Sequence, residues 1–135
     1  MPLKEAVIQT IYPKMTMRKM ADYDILINAS SAADVKAIME NLGFQAKSFG
    51  IGPDASYIKP PVSNFEMHTS LFGDMQDKKM AEYYVNIKGR LVKDEDNNYG
   101  YHFKPEDFYI YMITHEYKHY QSGGIHIEFQ RLWYY

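Results

Sequence analysis

The sequence predicts a small α+β fold, an α/β sandwich in which a small mixed β-sheet is flanked by helices. Three observations carry this expectation. Residues 23–28 are a short, mostly apolar run of strand character with helical patterns on either side. Residues 62–71 alternate, so that Phe65, Met67 and Thr69 face one way while Glu66 and His68 face the other. Pro105, followed by Glu106 and Asp107, opens a long helix, because Pro suits the first turn and acids favour the positive helix end.

Taken in order, Leu3, Ala6, Val7 and Ile11 have the spacing of one helix face, and Pro13 closes that pattern. After the first strand, Ser30 and Ser31 are N-cap residues for a second helix with Asp34 in its first turn. Val35, Ile38, Met39 and Leu42 form its apolar stripe, and Gly43 supplies the stop. A second strand is expected over residues 44–49 and a turn over 50–53. Lys59-Pro60-Pro61 is extended. Residues 80–90 read as helix and 93–98 as a solvated turn. The helix from Pro105 should run to about residue 120, where Ser122-Gly123-Gly124 ends it. Residues 125–129 have strand character. At 135 residues the chain has the length of one domain, spanning 1–135 with an atypical tail over 122–135.

Composition narrows the function. The chain is 46% hydrophobic and 24% charged, as in ordinary folded proteins. Its net charge of −2, with no dense run of Lys or Arg, gives no general attraction to nucleic acid or to an anionic membrane. The absence of Cys excludes disulfides, thiolate zinc sites and cysteine nucleophiles. No apolar run approaches the roughly 18 residues needed to span a bilayer, and the start does not read as a signal peptide, so the expected location is cytoplasmic. The 13 Tyr, with Trp133-Tyr134-Tyr135 at the end, have two readings. They fill half-buried positions with the hydroxyl in water, or they form an aromatic surface for a partner or a homo-oligomer.

Two constellations carry chemistry. Asp22 and Asp24 point to the same side of one strand edge. Two converging carboxylates either take up a proton or share a divalent cation; a polar strand entrance facing water is the other reading. If the strand carrying Glu66 is a neighbour, three carboxylates meet, an arrangement suited to a two-metal site with ions roughly 3.5–4 Å apart. His68 points the same way as Glu66 and can orient it. The second constellation is His115-Glu116-Tyr117-Lys118-His119, an H-E-x-x-H pattern. On a helix its histidines share a face and can ligate zinc with Glu116 as general base. A third ligand is required: His126 lies one position beyond the metzincin spacing and Glu128 is available, while Lys118 places a cation between the histidines. The alternative is a packed pair on a stripe with Phe108 and Met112, facing the carboxylate cleft. Nothing resembles a P-loop, a Rossmann turn or a serine triad.

Met17-Arg18-Lys19-Met20-Ala21-Asp22-Tyr23-Asp24-Ile25-Leu26-Ile27 resembles the central motif of the polymerase-beta-like nucleotidyltransferases. More specifically, the chain resembles a bacterial group described only as "nucleotidyltransferase family protein". The segments that carry this are Lys59-Pro60-Pro61-Val62-Ser63-Asn64-Phe65-Glu66-Met67-His68, Lys93-Asp94-Glu95-Asp96-Asn97-Asn98-Tyr99-Gly100-Tyr101-His102 and His115-Glu116-Tyr117-Lys118-His119-Tyr120. The resemblance implies a minimal nucleotidyltransferase-like fold. It implies that Asp22 and Asp24 bind Mg²⁺ and the phosphates of ATP or another nucleoside triphosphate, with Glu66 as the third carboxylate. A nucleoside monophosphate would pass to an acceptor that the sequence does not name. Lys4 and Arg18 would contact phosphates, and His68, His115 and His119 would lie near the nucleotide. The group carries Leu-Lys-Gly where this chain has Leu3-Lys4-Glu5-Ala6, which puts a side chain and a negative charge where phosphate should lie. It also has helical sequence before and after the matching region, so this chain is expected to be shortened at both ends. Three outcomes stay open: a Mg²⁺-dependent nucleotidyltransferase, a non-catalytic remnant that binds a nucleotide or a protein, and a zinc metallopeptidase at His115-Glu116-x-x-His119.

Overall fold

The computed structural model describes residues 1–14, 22–61, 63–72 and 77–123. They form a small α+β fold of helices, a four-stranded mixed sheet and a two-stranded sheet. The chain divides into two compact units, Met1–Asp77 and Lys78–Tyr135. No helix among the described residues is long and apolar enough to cross a membrane.

The first unit opens with α1 (Lys4–Ile8), extended by a 3₁₀ turn at Gln9–Ile11. Then come β1 (Tyr23–Leu26), α2 (Ala32–Asn41), β2 (Gln45–Ala46), β3 (Asp54–Lys59) and β4 (Ser63–His68). The sheet order is β1-β4-β3-β2. β1 runs parallel to β4, and the remaining pairs are antiparallel. Met1 to Leu3 adds a short antiparallel segment to the other edge of β1: the Leu3 N–H donates to the Asp24 carbonyl at 2.9 Å and the Leu26 N–H to the Met1 carbonyl at 2.8 Å.

Strand alternation gives this sheet two unlike faces. One carries the apolar cluster of Met39, Tyr57 and Met67, with Ile25, Ile27, Val35, Phe44, Ala55 and Phe65 packed against it. Phe65 is stacked on Tyr23 and meets Phe44 edge-on. The other face takes the intervening residues, Asp24, Glu66, His68 and Asp54. The cluster holds α2 through Val35 and Met39, four apart. Ile38 and Leu42, expected in the same stripe, are 57% and 56% exposed, so the buried stripe is narrower than the pattern suggested. The helix stops as expected. Gly43 takes the left-handed conformation (φ 86°), the Gly43 N–H reaches the Glu40 carbonyl, and the Phe44 N–H reaches that of Met39.

Several element bounds differ from expectation. β1 ends at Leu26 and β2 keeps only two residues. β3 was not foreseen: after the 50–53 turn, Asp54 to Lys59 pair along their whole length with β4. The expected strand at 125–129 lies outside the described residues.

In the second unit, α3 (Lys78–Val85) gives way to a 3₁₀ turn at Ile87–Arg90, short of the continuous helix expected. The solvated turn at 93–98 is bracketed by β5 (Val92–Lys93) and β6 (Tyr101–His102). α4 (Pro105–Gln121) begins and ends where Pro105 and Gly123 indicated. Phe103 stacks on Tyr111 at 5.3 Å, and the Tyr84 hydroxyl donates to Thr114 Oγ1 at 2.9 Å. Of the tyrosines, Tyr57, Tyr84 and Tyr111 are buried, while Tyr99 and Tyr120 are exposed.

Candidate functional site

The parallel register of β1 and β4 places Asp24 opposite Glu66 and Leu26 opposite His68. On the other side of β4, Asp54 stands opposite His68. Because Glu66 and His68 are two apart, both rise from the sheet face opposite the apolar cluster. Asp24, Glu66 and His68 each offer a ligand atom within 4.8 Å of the others.

Asp24 is the centre of this group and is only 4% exposed. Its Oδ1 lies 2.8 Å from His68 Nε2. Its Oδ2 faces Lys4 Nζ at 3.3 Å. That oxygen is buried and accepts no well-formed hydrogen bond among the described residues. Lys4 reaches it because the pairing of Met1 to Leu3 along β1 starts α1 beside the strand. The other ring nitrogen of His68, Nδ1, lies 2.8 Å from Asp54 Oδ1. The imidazole is thus strung between two carboxylates on different strands.

The titration behaviour follows from this geometry. Burial is the largest single influence on Asp24 and favours its neutral form, but the His68 hydrogen bond and the charges of Lys4 and His68 together outweigh it and hold Asp24 below the usual carboxylate range. Burial likewise opposes charge on His68, yet the hydrogen bonds and charges of Asp24 and Asp54 prevail and raise its pKa. Glu66 is shifted the other way: burial first, then the charges of Asp24 and Asp22, push its pKa up. His68 Nε2 is 4.0 Å from Glu66 Oε2, too far to cancel that repulsion.

A divalent cation fits this donor set. Asp24 has an oxygen with no well-formed hydrogen bond, Glu66 is a carboxylate whose charge is disfavoured, and the two stand side by side. A hard ion such as Mg²⁺ takes one or two carboxylates and completes its shell with water or phosphate oxygens.

Of the residues singled out from sequence, the structure brings together Lys4, Asp24, Glu66 and His68. Asp22 immediately precedes β1, and its charge reaches Glu66, but it is not one of the three converging ligands. His115 and His119 are in the second unit, paired with each other at 3.1 Å between their Nε2 atoms. Arg18 and the Glu5 side chain lie outside the described residues. Sequence reasoning missed Asp54. The available signal was the alternation of Asp54 and Ser56 with Ala55 and Tyr57 just after the Gly52-Pro53 turn, which marks a strand with its polar side toward the site.

Comparison with known proteins bears on this geometry. No curated protein and no solved structure matches the chain. A family described as uncharacterised nucleotidyltransferase matches it over residues 1–129, a span that includes every residue of the carboxylate cluster. With nearly its whole length inside that match, the chain belongs to this nucleotidyltransferase family.

Proposed function

We propose that the chain transfers a nucleoside monophosphate from a nucleoside triphosphate to an acceptor hydroxyl, with the β1–β4 carboxylates as the metal-binding centre. The observation that carries this reading is the pairing of Asp24 with Glu66 across adjacent parallel strands, beside His68, in a chain of nucleotidyltransferase ancestry.

Asp24 and Glu66 would hold Mg²⁺, with Asp22 contributing negative charge at the entrance to β1. The ion, when bound, supplies positive charge to the triphosphate and helps align it. The remaining work belongs to the chain's own groups. The oxygen of the acceptor attacks the α-phosphorus, the bond from that phosphorus to the β-phosphate bridging oxygen breaks, and pyrophosphate leaves. Glu66 is the base that takes the acceptor proton, since burial and the charges of Asp24 and Asp22 raise its affinity for a proton. His68, held between Asp54 and Asp24, fixes the direction of the Asp24 carboxylate. Lys4 neutralises Asp24 in the absence of a cation and turns to a phosphate oxygen when a cation takes its place.

Calorimetric titration of ATP, GTP, CTP and UTP, with and without Mg²⁺, tests the reading. Mg²⁺-dependent binding of at least one is expected. Failure of all four to bind a folded sample would instead favour a non-catalytic member of the family, in which Lys4 and His68 serve as permanent counter-ions to Asp24.

A further inference from the structure

We propose that His115 and His119 on α4 form a second metal site, for a borderline transition-metal dication such as Zn²⁺ or Ni²⁺ rather than for Mg²⁺. The i,i+4 spacing places both rings on one side of the helix. The rings are 4.4 Å apart between centroids and tilted by 52°, and their Nε2 atoms face each other at 3.1 Å. Two Nε2 lone pairs directed at one point do not coexist unaided. Either a proton lies between them or a cation does. Zinc–nitrogen bonds of about 2.0–2.1 Å at a tetrahedral angle need the two nitrogens about 3.3–3.4 Å apart, a few tenths of an ångström from what the helix already supplies.

The surroundings favour the cation. Glu116 Oε1 is buried, accepts no hydrogen bond among the described residues, and lies 3.7 Å from His115 Nδ1, the nitrogen on the far side of the ring from the pair. Metal-bound histidines characteristically present that second nitrogen to a carboxylate, which orients the ring and raises its basicity. Both side chains are largely shielded, His115 at 16% and Glu116 at 12% exposure. Tyr111 closes the ring's other flank at 6.1 Å. Among the described residues no third side chain of ligating type converges on the pair. Two imidazoles select for Zn²⁺, Ni²⁺ or Cu²⁺ and against Mg²⁺, which prefers oxygen. In this arrangement Glu116 is the carboxylate neighbour of the His115 ring, 3.7 Å from Nδ1, rather than the base of a peptidase centre.

The test is a calorimetric titration of Zn²⁺ and of Ni²⁺ into the full chain carrying Asp24→Asn and Glu66→Gln, so that the carboxylate cluster contributes nothing, with Mg²⁺ as the control. The expected result is one saturable site for each transition metal and none for Mg²⁺. That site should disappear in His119→Ala and weaken about tenfold in Glu116→Gln. Saturable binding that survives removal of both histidines, or no saturable binding in a folded sample, overturns the proposal. A second readout needs no α4 variant: paramagnetic Ni²⁺ should broaden the imidazole NMR signals of His115 and His119 ahead of those of His102. Equal broadening of all three would mean no defined site.

Discussion

Asp24 and Asp107 are both buried aspartates, 4% and 8% exposed, and both are held below the usual carboxylate range. Their neighbourhoods differ in kind. Asp107, in the first turn of α4, accepts the Tyr83 hydroxyl and the Arg90 guanidinium, while Arg90 also donates to the Tyr83 carbonyl and lies over its ring. The groups that set its acidity are Tyr83, Arg90 and Lys104, with no second carboxylate among them. Asp24 also has two cationic neighbours, Lys4 and His68, yet Glu66 stands beside it with its pKa pushed up by the crowding. A low carboxylate pKa therefore marks good pairing in either place. What sets the proposed ligand site apart from the structural anchor is the second carboxylate kept at a disadvantage, together with a buried oxygen that lacks a well-formed hydrogen bond.

Exchanging the two aspartates' roles is the most direct way to break this comparison. Asp24→Asn should weaken Mg²⁺-dependent nucleotide binding by about 100-fold, near 2.7 kcal/mol, and leave the circular dichroism spectrum unchanged. Asp107→Ala should do the opposite. It strands a partly buried Arg90, so stability should drop by about 2–3 kcal/mol in a denaturant titration while nucleotide affinity holds. Unchanged nucleotide affinity in Asp24→Asn would sink the carboxylate-site reading.

The anchor is sharpened by a smaller change. Tyr83→Phe keeps the ring under Arg90 and removes only the hydroxyl that Asp107 accepts. The expected loss is about 1 kcal/mol, seen as a lower denaturant midpoint with the same slope. A loss as large as that of Asp107→Ala would mean that the hydroxyl, rather than Arg90, holds the first turn of α4.

How much of this could be read in advance divides along the same lines. Alternation over 62–71 already put Glu66 and His68 on one face and Met67 on the other, and Asp24 of β1, with Asp22 just before the strand, was conspicuous beside Ile25, Leu26 and Ile27. Gly43 and Pro105 marked helix bounds because left-handed and first-turn positions are local demands that few residues meet. Partners set by non-local pairing were hidden. Lys4 finds Asp24 only because Met1 to Leu3 pair with β1, and nothing in Leu3-Lys4-Glu5-Ala6 announces that edge. Asp54 was lost with β3, whose Ala55 is small and whose Ile58 is partly exposed, so its alternation is faint. Ile38 and Leu42 misled in the other direction, since an apolar stripe shows which residues can be buried and not how wide the sheet beneath them is.

The least effect in size, and the most specific to the comparison, concerns Glu66 and pH. A carboxyl whose pKa is higher in the folded chain than in the unfolded one holds its proton more tightly when folded. The resulting cost to stability is absent well below 4.5, its ordinary value, grows as pH rises through the interval up to the raised value, and is constant beyond it. Glu66→Gln removes that cost. With a third of the side chain exposed, solvent screening limits the gain to a few tenths of a kcal/mol, present above that interval and absent at the acid end. The Asp24–His68 pair has its own window. Asp24, lowered, contributes fully above 3.8 and loses its contribution as pH falls through its folded value. His68, raised, contributes fully below 6.5 and loses its contribution as pH climbs through its folded value. Stability of the wild-type chain should accordingly weaken on the alkaline side of His68, and His68→Asn should flatten that decline while enlarging the Glu66 step, because the His68 charge that lowers the Glu66 pKa is gone. Thermal unfolding of the two variants and the wild type across pH 4–9 separates these contributions. A Glu66→Gln chain that is less stable than wild type at pH 8 would show that the carboxylate is anchored like Asp107, and the contrast between the two sites would be lost.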